Sequence, residues 1–305
     1  GREVLGVLLL GGVTALPEVA VAVSATLGGA PALSVNNILG SVCLNFVILA
    51  GADAFYGRRH ALTSTPADPL LLLQGALGIL LLAIVAAATV AGDVRVAGMG
   101  AWSWVLLAAF VGAVFVIAKS RRLCSWVPTH RSVPAPQRDD DNGDGKTGQS
   151  LQRLILQTVG VGAVILVAGY ALATSGEALA EQTGLGTSFF GAVALSMATS
   201  LPEISTVTAA VRLRRYEMAL GDALGAIVFN LATLVIIDAL HSGDPVLVEA
   251  GRFAGFAALL AIVLATVYLI GMIERRDRTV GRMGIDSWVV LGCYAAGIGV
   301  LYTLR

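Results

Sequence analysis

The sequence predicts an all-α polytopic membrane protein, built as an inverted-repeat helical bundle. Three observations lead to this prediction: the composition, a series of long apolar segments and a polar motif that occurs twice. Of the 305 residues, 56% are hydrophobic and 13% are charged, whereas soluble domains average about 45–50% apolar and 25% charged residues. The formal net charge of zero gives no sign of nucleic acid as a partner, so the expected partner is the lipid bilayer.

Nine apolar segments are each long enough to cross a bilayer core, which takes about 20 helical residues. They cover residues 3–27, 33–55, 69–91, 99–118, 153–176, 185–211, 217–239, 249–273 and 285–304. A stretch rich in Pro, Gly and Asp at 128–150 separates the fourth segment from the fifth and predicts a flexible linker. The chain is therefore expected to comprise a first half at 1–118, a linker at 119–152 and a second half at 153–305.

The basic residues distinguish the two sides of the predicted membrane. Seventeen of the 20 Lys and Arg residues lie at the start of the chain or in the loops after the second, fourth, sixth and eighth segments. The other three are Arg95, Arg252 and Arg305. Because loops rich in Lys and Arg stay in the cytoplasm, the prediction is an integral protein of a bacterial-type plasma membrane with a cytoplasmic linker at 119–152.

One polar motif occurs in both halves, as Thr14-Ala-Leu-Pro-Glu18 and as Thr199-Ser-Leu-Pro-Glu203. A charged side chain at the bilayer centre costs roughly 2.5–3.5 kcal/mol or more, so two carboxylates at matched places indicate a function. Proline lacks an N–H and frees the carbonyl four residues earlier. A carboxylate, a hydroxyl and freed carbonyls at one point are hard oxygen ligands, which suit Ca²⁺ or Na⁺.

The motif belongs to a longer internal repeat. A shift of 185 residues aligns 14–53 with 199–238 without a gap. The matches include most of the polar and special residues, and the pairs are Thr14/Thr199, Leu16/Leu201, Pro17/Pro202, Glu18/Glu203, Leu39/Leu224, Gly40/Gly225, Asn45/Asn230 and Asp53/Asp238. The two copies begin on opposite sides of the membrane, which is typical of alternating-access transporters. We therefore expect Glu18 and Glu203 to meet near mid-membrane, within about 10 Å of each other if they share one ion.

The second helix of each repeat carries a further polar stripe. In the first repeat Asn37, Ser41 and Asn45 recur every four residues, which places them on one helix face. The equivalent stripe of the second repeat is Asp222, Ala226 and Asn230.

These residues resemble the calcium/cation antiporter superfamily, which includes the sodium/calcium exchangers. Its hallmark is two inverted repeats, each with a motif close to Gly-Thr-Ser-x-Pro-Glu and then a helix with a Gly-Ser-Asn-x-x-Asn-like motif. Here the second helices read Gly40-Ser-Val-Cys-Leu-Asn45 and Gly225-Ala-Ile-Val-Phe-Asn230. Family members usually have ten helices, five in each half. The resemblance thus implies that these nine lack the first helix, which would lie just upstream of Gly1.

The resemblance also implies a cation site and no cofactor. Glu18 and Glu203 would be the central carboxylates shared by the calcium and sodium sites. The further implied ligands are the backbone carbonyls of Thr14 and Thr199 and the side-chain oxygens of Ser41, Asn45, Ser200 and Asn230. Asn37 and Asp222 lie one turn closer to their helix starts and are expected to line an access path.

Several positions depart from the family pattern. Ala15 and Ala226 stand where the family often carries Ser, and Asn230 stands where sodium/calcium exchangers often carry Asp. Val42 and Ile227 replace a common Asn. With two carboxylates and fewer hydroxyls, the site is expected to bind fewer than three Na⁺, or to use H⁺ for some of them, because excess positive charge is expensive in a low-dielectric site.

The first hypothesis is a secondary antiporter that exchanges Ca²⁺ for Na⁺. The alternative is exchange of Ca²⁺ or another divalent ion for H⁺, and a non-transporting scaffold stays open. No enzyme is expected, since the sequence lacks a paired His or Cys set or a nucleophile elbow within the membrane. Asn45 and Asn230 could instead form interhelical hydrogen bonds, and Ser41 could bond back to its own helix. Asp53 and Asp238 are expected to be solvated or interfacial.

Overall fold

The computed structural model describes residues 14–56, 62–64, 68–120, 151–274, 279–281 and 283–305. The helices of the first half are α1 (Leu16–Leu27), α2 (Pro31–Tyr56), α3 (Pro69–Ala91) and α4 (Ala101–Ser120). A 3₁₀ turn (Leu62–Ser64) precedes α3, and the antiparallel strands β1 (Arg95–Val96) and β2 (Met99–Gly100) join α3 to α4. Asp68 starts α3 by accepting a hydrogen bond from the N–H of Leu70, the usual role of an aspartate before a helix.

The second half repeats this order with one broken segment. Its helices are α5 (Leu151–Thr183), α6 (Thr187–Phe190), α7 (Ser196–Thr199), α8 (Leu201–Arg212), α9 (Tyr216–Leu240), α10 (Val246–Glu249), α11 (Gly251–Glu274) and α12 (Ile285–Thr303). A π-helical turn, Gly191–Leu195, joins α6 to α7. The antiparallel strands β3 (Thr279–Val280) and β4 (Met283–Gly284) precede α12.

The described helices match the predicted apolar segments. Seven are long and apolar enough to cross a membrane, namely α2, α3, α4, residues 162–183 of α5, α9, α11 and α12. The first predicted segment contains α1 and the sixth contains α6 to α8. The prediction of an all-α polytopic membrane protein is therefore confirmed. Residues 3–13 and most of the linker lie outside the described residues, and a helix upstream of Gly1 stays a prediction.

The second helices of the two repeats form the centre of the bundle. Helices α2 and α9 pack against each other and are largely buried, whereas α4, α5 and α12 are largely exposed. Exposed side chains on these outer helices include Phe115, Val164 and Trp288. An apolar exterior around a polar centre is the arrangement that a bilayer requires.

The π-helical turn lies directly against α2. A Cβ added to Gly40 would overlap the backbone of Ala192, and one added to Gly191 would lie 2.8 Å from the carbonyl oxygen of Leu33. Small residues allow such close approach between membrane helices. The contact brings the second repeat's motif segment onto the first repeat's polar helix.

Asp53 and Asp238 correct one sequence expectation. Both were expected to be solvated or interfacial, and both are fully buried. Asp53, near the end of α2, accepts hydrogen bonds from the N–H of Leu62 (2.5 Å), the N–H of Gly284 (2.7 Å) and the hydroxyl of Ser287 (2.7 Å). The buried carboxylate therefore accepts hydrogen bonds from protein donors, where the sequence analysis expected it to accept them from water.

Asp238 makes the equivalent contacts near the end of α9. It accepts hydrogen bonds from the N–H of Gly100 (2.7 Å) and the N–H of Val246 (2.9 Å). Each aspartate therefore ties a turn of its own half to the hairpin of the other half. We call Asp53 and Asp238 the crossed anchors.

The hairpins reveal a further part of the repeat that the sequence analysis missed. With a shift of 184 residues, Val96-Ala-Gly-Met-Gly-Ala-Trp-Ser-Trp104 aligns with Val280-Gly-Arg-Met-Gly-Ile-Asp-Ser-Trp288. The indole N–H of Trp104 donates to the carbonyl of Val96, and that of Trp288 donates to the carbonyl of Val280, both at 3.0 Å. The offset changes from 185 to 184 between the motif helices and the hairpins, so one fixed shift does not align both parts.

Candidate cation site

Both glutamates lie in the first turn of a helix that begins at its motif. Ser200 separates α7 from α8, which starts at Leu201, and α1 starts at Leu16. Neither Ala15 nor Ser200 caps its helix with a side-chain hydrogen bond. The positive end of each helix dipole therefore lies beside a carboxylate, which it stabilises.

The proline of the motif frees the backbone carbonyl four residues before it. Pro202 has no N–H, so the carbonyl of Ala198 lacks the donor that a continuous helix would provide. The equivalent carbonyl of the first repeat precedes Thr14 and lies outside the described residues.

The two carboxylates are buried and uncompensated. Glu18 is 0% exposed and Glu203 is 1% exposed, and their charges interact with each other. Within the described ranges, no hydrogen bond of ordinary geometry reaches their four carboxylate oxygens, and the hydroxyls of Thr199 and Ser200 lie close enough to Glu18 to stabilise its charge. Two such charges are expensive to bury unless a cation or protons neutralise them.

The motif threonines connect each repeat to the polar stripe of the other. Thr199 donates a hydrogen bond to the side-chain oxygen of Asn37 (3.4 Å), and its hydroxyl lies 3.3 Å from that of Ser41. Thr14 donates to Asp222 at 3.5 Å. Asn37 and Asp222 are equivalent under the 185-residue shift, so these contacts are a symmetric pair.

Further buried polar atoms belong to the residues that the sequence singled out. The side-chain amides of Asn45 and Asn230 form no hydrogen bond with any described residue, and the hydroxyl of Ser200 interacts with the Glu18 carboxylate. Together with the two glutamates, these three residues have seven buried side-chain oxygen atoms. Ca²⁺ takes 6–8 oxygen ligands, and both carboxylates and amide carbonyls serve it.

All ten residues singled out by the sequence lie in the described part of the chain, and each is buried. They are Thr14, Glu18, Asn37, Ser41, Asn45, Thr199, Ser200, Glu203, Asp222 and Asn230. The structure places Asn37 and Asp222 in contact with the motif threonines. Among the described residues, Asn45 and Asn230 do not form the interhelical hydrogen bonds considered for them, and Ser41 contacts Thr199 of the opposite repeat.

Sequence reasoning missed one residue of this network. Thr206 in α8 donates to Asp222 at 2.5 Å and also lies 3.1 Å from the carbonyl of Glu203. The available signal was its place three residues after Glu203, on the same helix face. The first repeat has Val21 at the equivalent position, so repeat matching did not select Thr206.

A compact metal cluster is a different kind of site, and the described residues contain none. No group of three or more His, Cys, Asp or Glu side chains there could hold a metal ion. The candidate site instead consists of two buried carboxylates at helix breaks, with the hydroxyls of Thr199 and Ser200 beside Glu18.

Comparison with known proteins gives a consistent result. A family model described as "Sodium/calcium exchanger protein" matches residues 1–119 and 154–303. "Inner membrane protein YrbG" of Escherichia coli K12 is 25% identical over 246 residues, covering 78% of this chain and 69% of that protein. "Putative antiporter CaxA" of Alkalimonas amylolytica is 25% identical over 283 residues, covering 91% of this chain and 83% of that protein.

Two kinds of solved exchanger share the fold. The sodium-calcium exchanger NCX_Mj matches with a TM-score of 0.60 at 16% identity, over 97% of this chain and 86% of that one. The H⁺/Ca²⁺ exchanger CAX matches with a TM-score of 0.58 at 14% identity, over 98% and 84% of the two chains. At these identities the likeness shows the fold alone. Because the family model covers nearly all of both halves, this chain belongs to the sodium/calcium exchanger protein family, as the resemblance to the calcium/cation antiporter superfamily predicted.

Proposed function

We propose that this protein exchanges Ca²⁺ for Na⁺ across a bacterial-type plasma membrane by alternating access. The family is one of cation exchangers, and the choice of ions is our inference. The observation that carries it is the set of seven buried side-chain oxygen atoms that both repeats contribute through Glu18, Glu203, Asn45, Ser200 and Asn230.

Charge supports a divalent ion as one substrate. Two carboxylates balance one Ca²⁺, so a dehydrated ion between Glu18 and Glu203 leaves little net charge in the low-dielectric interior. Side-chain oxygens of Asn45, Ser200 and Asn230 would complete the coordination, with backbone carbonyls of Thr14 and Thr199 as further ligands. A Ca²⁺ ion bound in this way would be cargo of the protein and would leave through an access path.

Exchange against H⁺ is the second candidate, and one observation favours it. Glu18, Glu203 and Asp222 are buried, and no described basic side chain forms an ion pair with any of them. Protons can neutralise such carboxylates in place of Na⁺. The fold shared with an H⁺/Ca²⁺ exchanger is compatible with this coupling.

Ca²⁺ uptake into proteoliposomes tests the proposal. An imposed Na⁺ gradient at equal pH should drive uptake, and a pH gradient without Na⁺ should not. Uptake driven only by the pH gradient would establish the second candidate, and no uptake under either gradient would indicate a non-transporting protein.

Glu18→Gln and Glu203→Gln should each reduce Ca²⁺ uptake by roughly 100-fold or more, because each removes a negative charge that balances the bound cation. Asp244→Asn is the matched control, since Asp244 is exposed and outside the site. Uptake that survives in both glutamine variants would contradict the assignment of the site.

A further inference from the structure

The polar contacts of the motif helices follow the symmetry of the two repeats except at one position. Between the repeats the contacts are paired, since each motif threonine donates to the second helix of the opposite repeat. Within a repeat they are not paired. Thr206 in α8 donates to Asp222 in α9 at 2.5 Å, whereas the first repeat has Val21 in place of Thr206. This hydrogen bond therefore fastens α8 to α9, and α1 lacks the equivalent bond to α2.

Val21 is the counterpart of Thr206 by spacing and by packing. Each lies three residues after the glutamate of its motif and 16 residues before the polar residue of the second helix, Asn37 or Asp222. Val21 is fully buried and belongs to the same apolar cluster as Leu33, which lies one helical turn before Asn37. A side chain at position 21 therefore lies close to the turn of α2 that carries Asn37.

The amide of Asn37 shows what the first repeat lacks. Its oxygen accepts a hydrogen bond from Thr199 at 3.4 Å. Its Nδ2 is buried and has no hydrogen-bond partner among the described residues. In the second repeat, by contrast, both oxygens of Asp222 accept from hydroxyls, those of Thr14 at 3.5 Å and Thr206 at 2.5 Å. The partner that Asn37 lacks corresponds to the hydroxyl of Thr206.

Thr206 holds the first turn of α8, where Glu203 lies. Its hydroxyl is 3.1 Å from the backbone carbonyl of Glu203 and 2.5 Å from Oδ2 of Asp222. Because Thr206 and Glu203 share a helix face, the bond to Asp222 keeps this turn at a fixed place on α9. A side chain whose helix turn is already fixed loses less conformational freedom when it binds a ligand.

We propose that Thr206 is a positioning residue of the cation site, which holds the turn of Glu203 against α9 and so raises the affinity of the site for Ca²⁺. Val21 leaves the turn of Glu18 without this support. The two carboxylates are equivalent in sequence but are held unequally on the second helices of their own repeats. The inference rests on the proposed exchange function and gives the two repeats different parts in it.

Equilibrium binding of ⁴⁵Ca²⁺ to the purified protein in detergent tests the role of Thr206. Thr206→Val keeps the shape of the side chain and lacks the hydroxyl, so it should weaken Ca²⁺ binding by roughly 3- to 10-fold, the range for one lost hydrogen bond. Thr206→Ser keeps the hydroxyl and should bind Ca²⁺ as the unsubstituted protein does. Ser205→Ala is the matched control, because the Ser205 hydroxyl donates to the carbonyl of Leu201 in its own helix.

Amide hydrogen exchange without Ca²⁺ measures the support itself. In Thr206→Val the amides of residues 204–207 should exchange roughly 3- to 10-fold faster than in the unsubstituted protein. Val21→Thr supplies a hydroxyl where Nδ2 of Asn37 lacks an acceptor, so the amides of residues 19–22 should exchange more slowly by a similar factor. General destabilisation by Thr206→Val is a different result, because it would speed exchange throughout the bundle and would contradict a local role.

Transport kinetics separate positioning from a folding defect. In proteoliposomes Thr206→Val should raise the Ca²⁺ concentration for half-maximal uptake and leave the maximal rate unchanged, as expected when binding alone is weakened. Unaltered Ca²⁺ affinity and amide exchange in Thr206→Val would overturn the proposal, and so would a loss of affinity that Thr206→Ser does not restore. Failure of the proposed function is a separate result, because the unsubstituted protein would then neither bind nor transport Ca²⁺.

Discussion

The residues of the proposed cation site are buried polar groups within a largely apolar helical bundle. Glu18 and Glu203 are buried carboxylates, and the buried amides of Asn45 and Asn230 have no hydrogen-bond partner among the described residues. Buried polar groups in a stable core are nearly always hydrogen-bonded. The exceptions at Glu18, Glu203, Asn45 and Asn230 come from both repeats, as the proposed cation ligand set requires.

Gly40 gives a residue-scale prediction about the contact between α2 and the π-helical turn. Gly40→Ala should destabilise the protein by about 1–3 kcal/mol, the usual range for overpacking, because the new Cβ overlaps the Ala192 backbone. Gly51 lies in the same helix with nothing within 4 Å of an added Cβ. Gly51→Ala should therefore be neutral or stabilising by up to about 1 kcal/mol.

Unfolding in detergent, followed by circular dichroism as temperature rises, compares the two alanine variants directly. Equal effects of Gly40→Ala and Gly51→Ala would show that the close approach of Gly40 to Ala192 contributes little to stability.

At the scale of elements, the two hairpins depend on aspartates from the opposite halves. Asp53 accepts the N–H of Gly284 in β4, and Asp238 accepts the N–H of Gly100 in β2. A buried donor that loses its acceptor costs roughly 1–3 kcal/mol. Each hairpin should therefore open more often when its distant aspartate is replaced.

Amide hydrogen exchange tests this dependence with two variants that control for each other. Asp53→Asn should speed exchange at Met283 and Gly284 and leave Met99 and Gly100 unchanged, because its amide group cannot accept all the bonds of the carboxylate. Asp238→Asn should speed exchange at Met99 and Gly100 and leave Met283 and Gly284 unchanged. If either variant speeds amide exchange in both hairpins, the protein is destabilised generally, and the crossed dependence of hairpin on aspartate is contradicted.

At the scale of the whole molecule, the distribution of basic residues predicts a topology that labelling can test. In a background without Cys43, Cys124 and Cys293, a single cysteine at Ser242 should react with an impermeant maleimide on intact cells. A cysteine at Leu213 should react only after permeabilisation, because its loop belongs to the Arg-rich side. Both positions are exposed. Labelling of both from outside would contradict the alternation of sides.

The sequence was most informative where a polar residue interrupts an apolar run. Glu18, Glu203 and their prolines are conspicuous for this reason, and the fixed shift between the copies then predicted the repeat and its second helices. The family and the membrane architecture followed from the same residues.

The missed features depend on contacts between residues far apart in the chain. Asp53 and Asp238 lie near the ends of apolar segments, where water is the expected partner, and their donors belong largely to turns that apolar patterning does not place. Thr206 resembles any helix-face threonine until Asp222, 16 residues later, folds against it. Periodicity indicates which residues share a face, but it does not say which faces meet.

The crossed anchors have a mechanical consequence. Since α2 ends on the hairpin of the second half and α9 ends on the hairpin of the first, the halves are joined reciprocally at two separate points. Relative motion of the two halves would strain or break the buried hydrogen bonds of Asp53 or Asp238. In the proposed exchange, displacement of peripheral helices, such as the largely exposed α5 that packs on α1, would open a path to Glu18 and Glu203 without breaking these bonds.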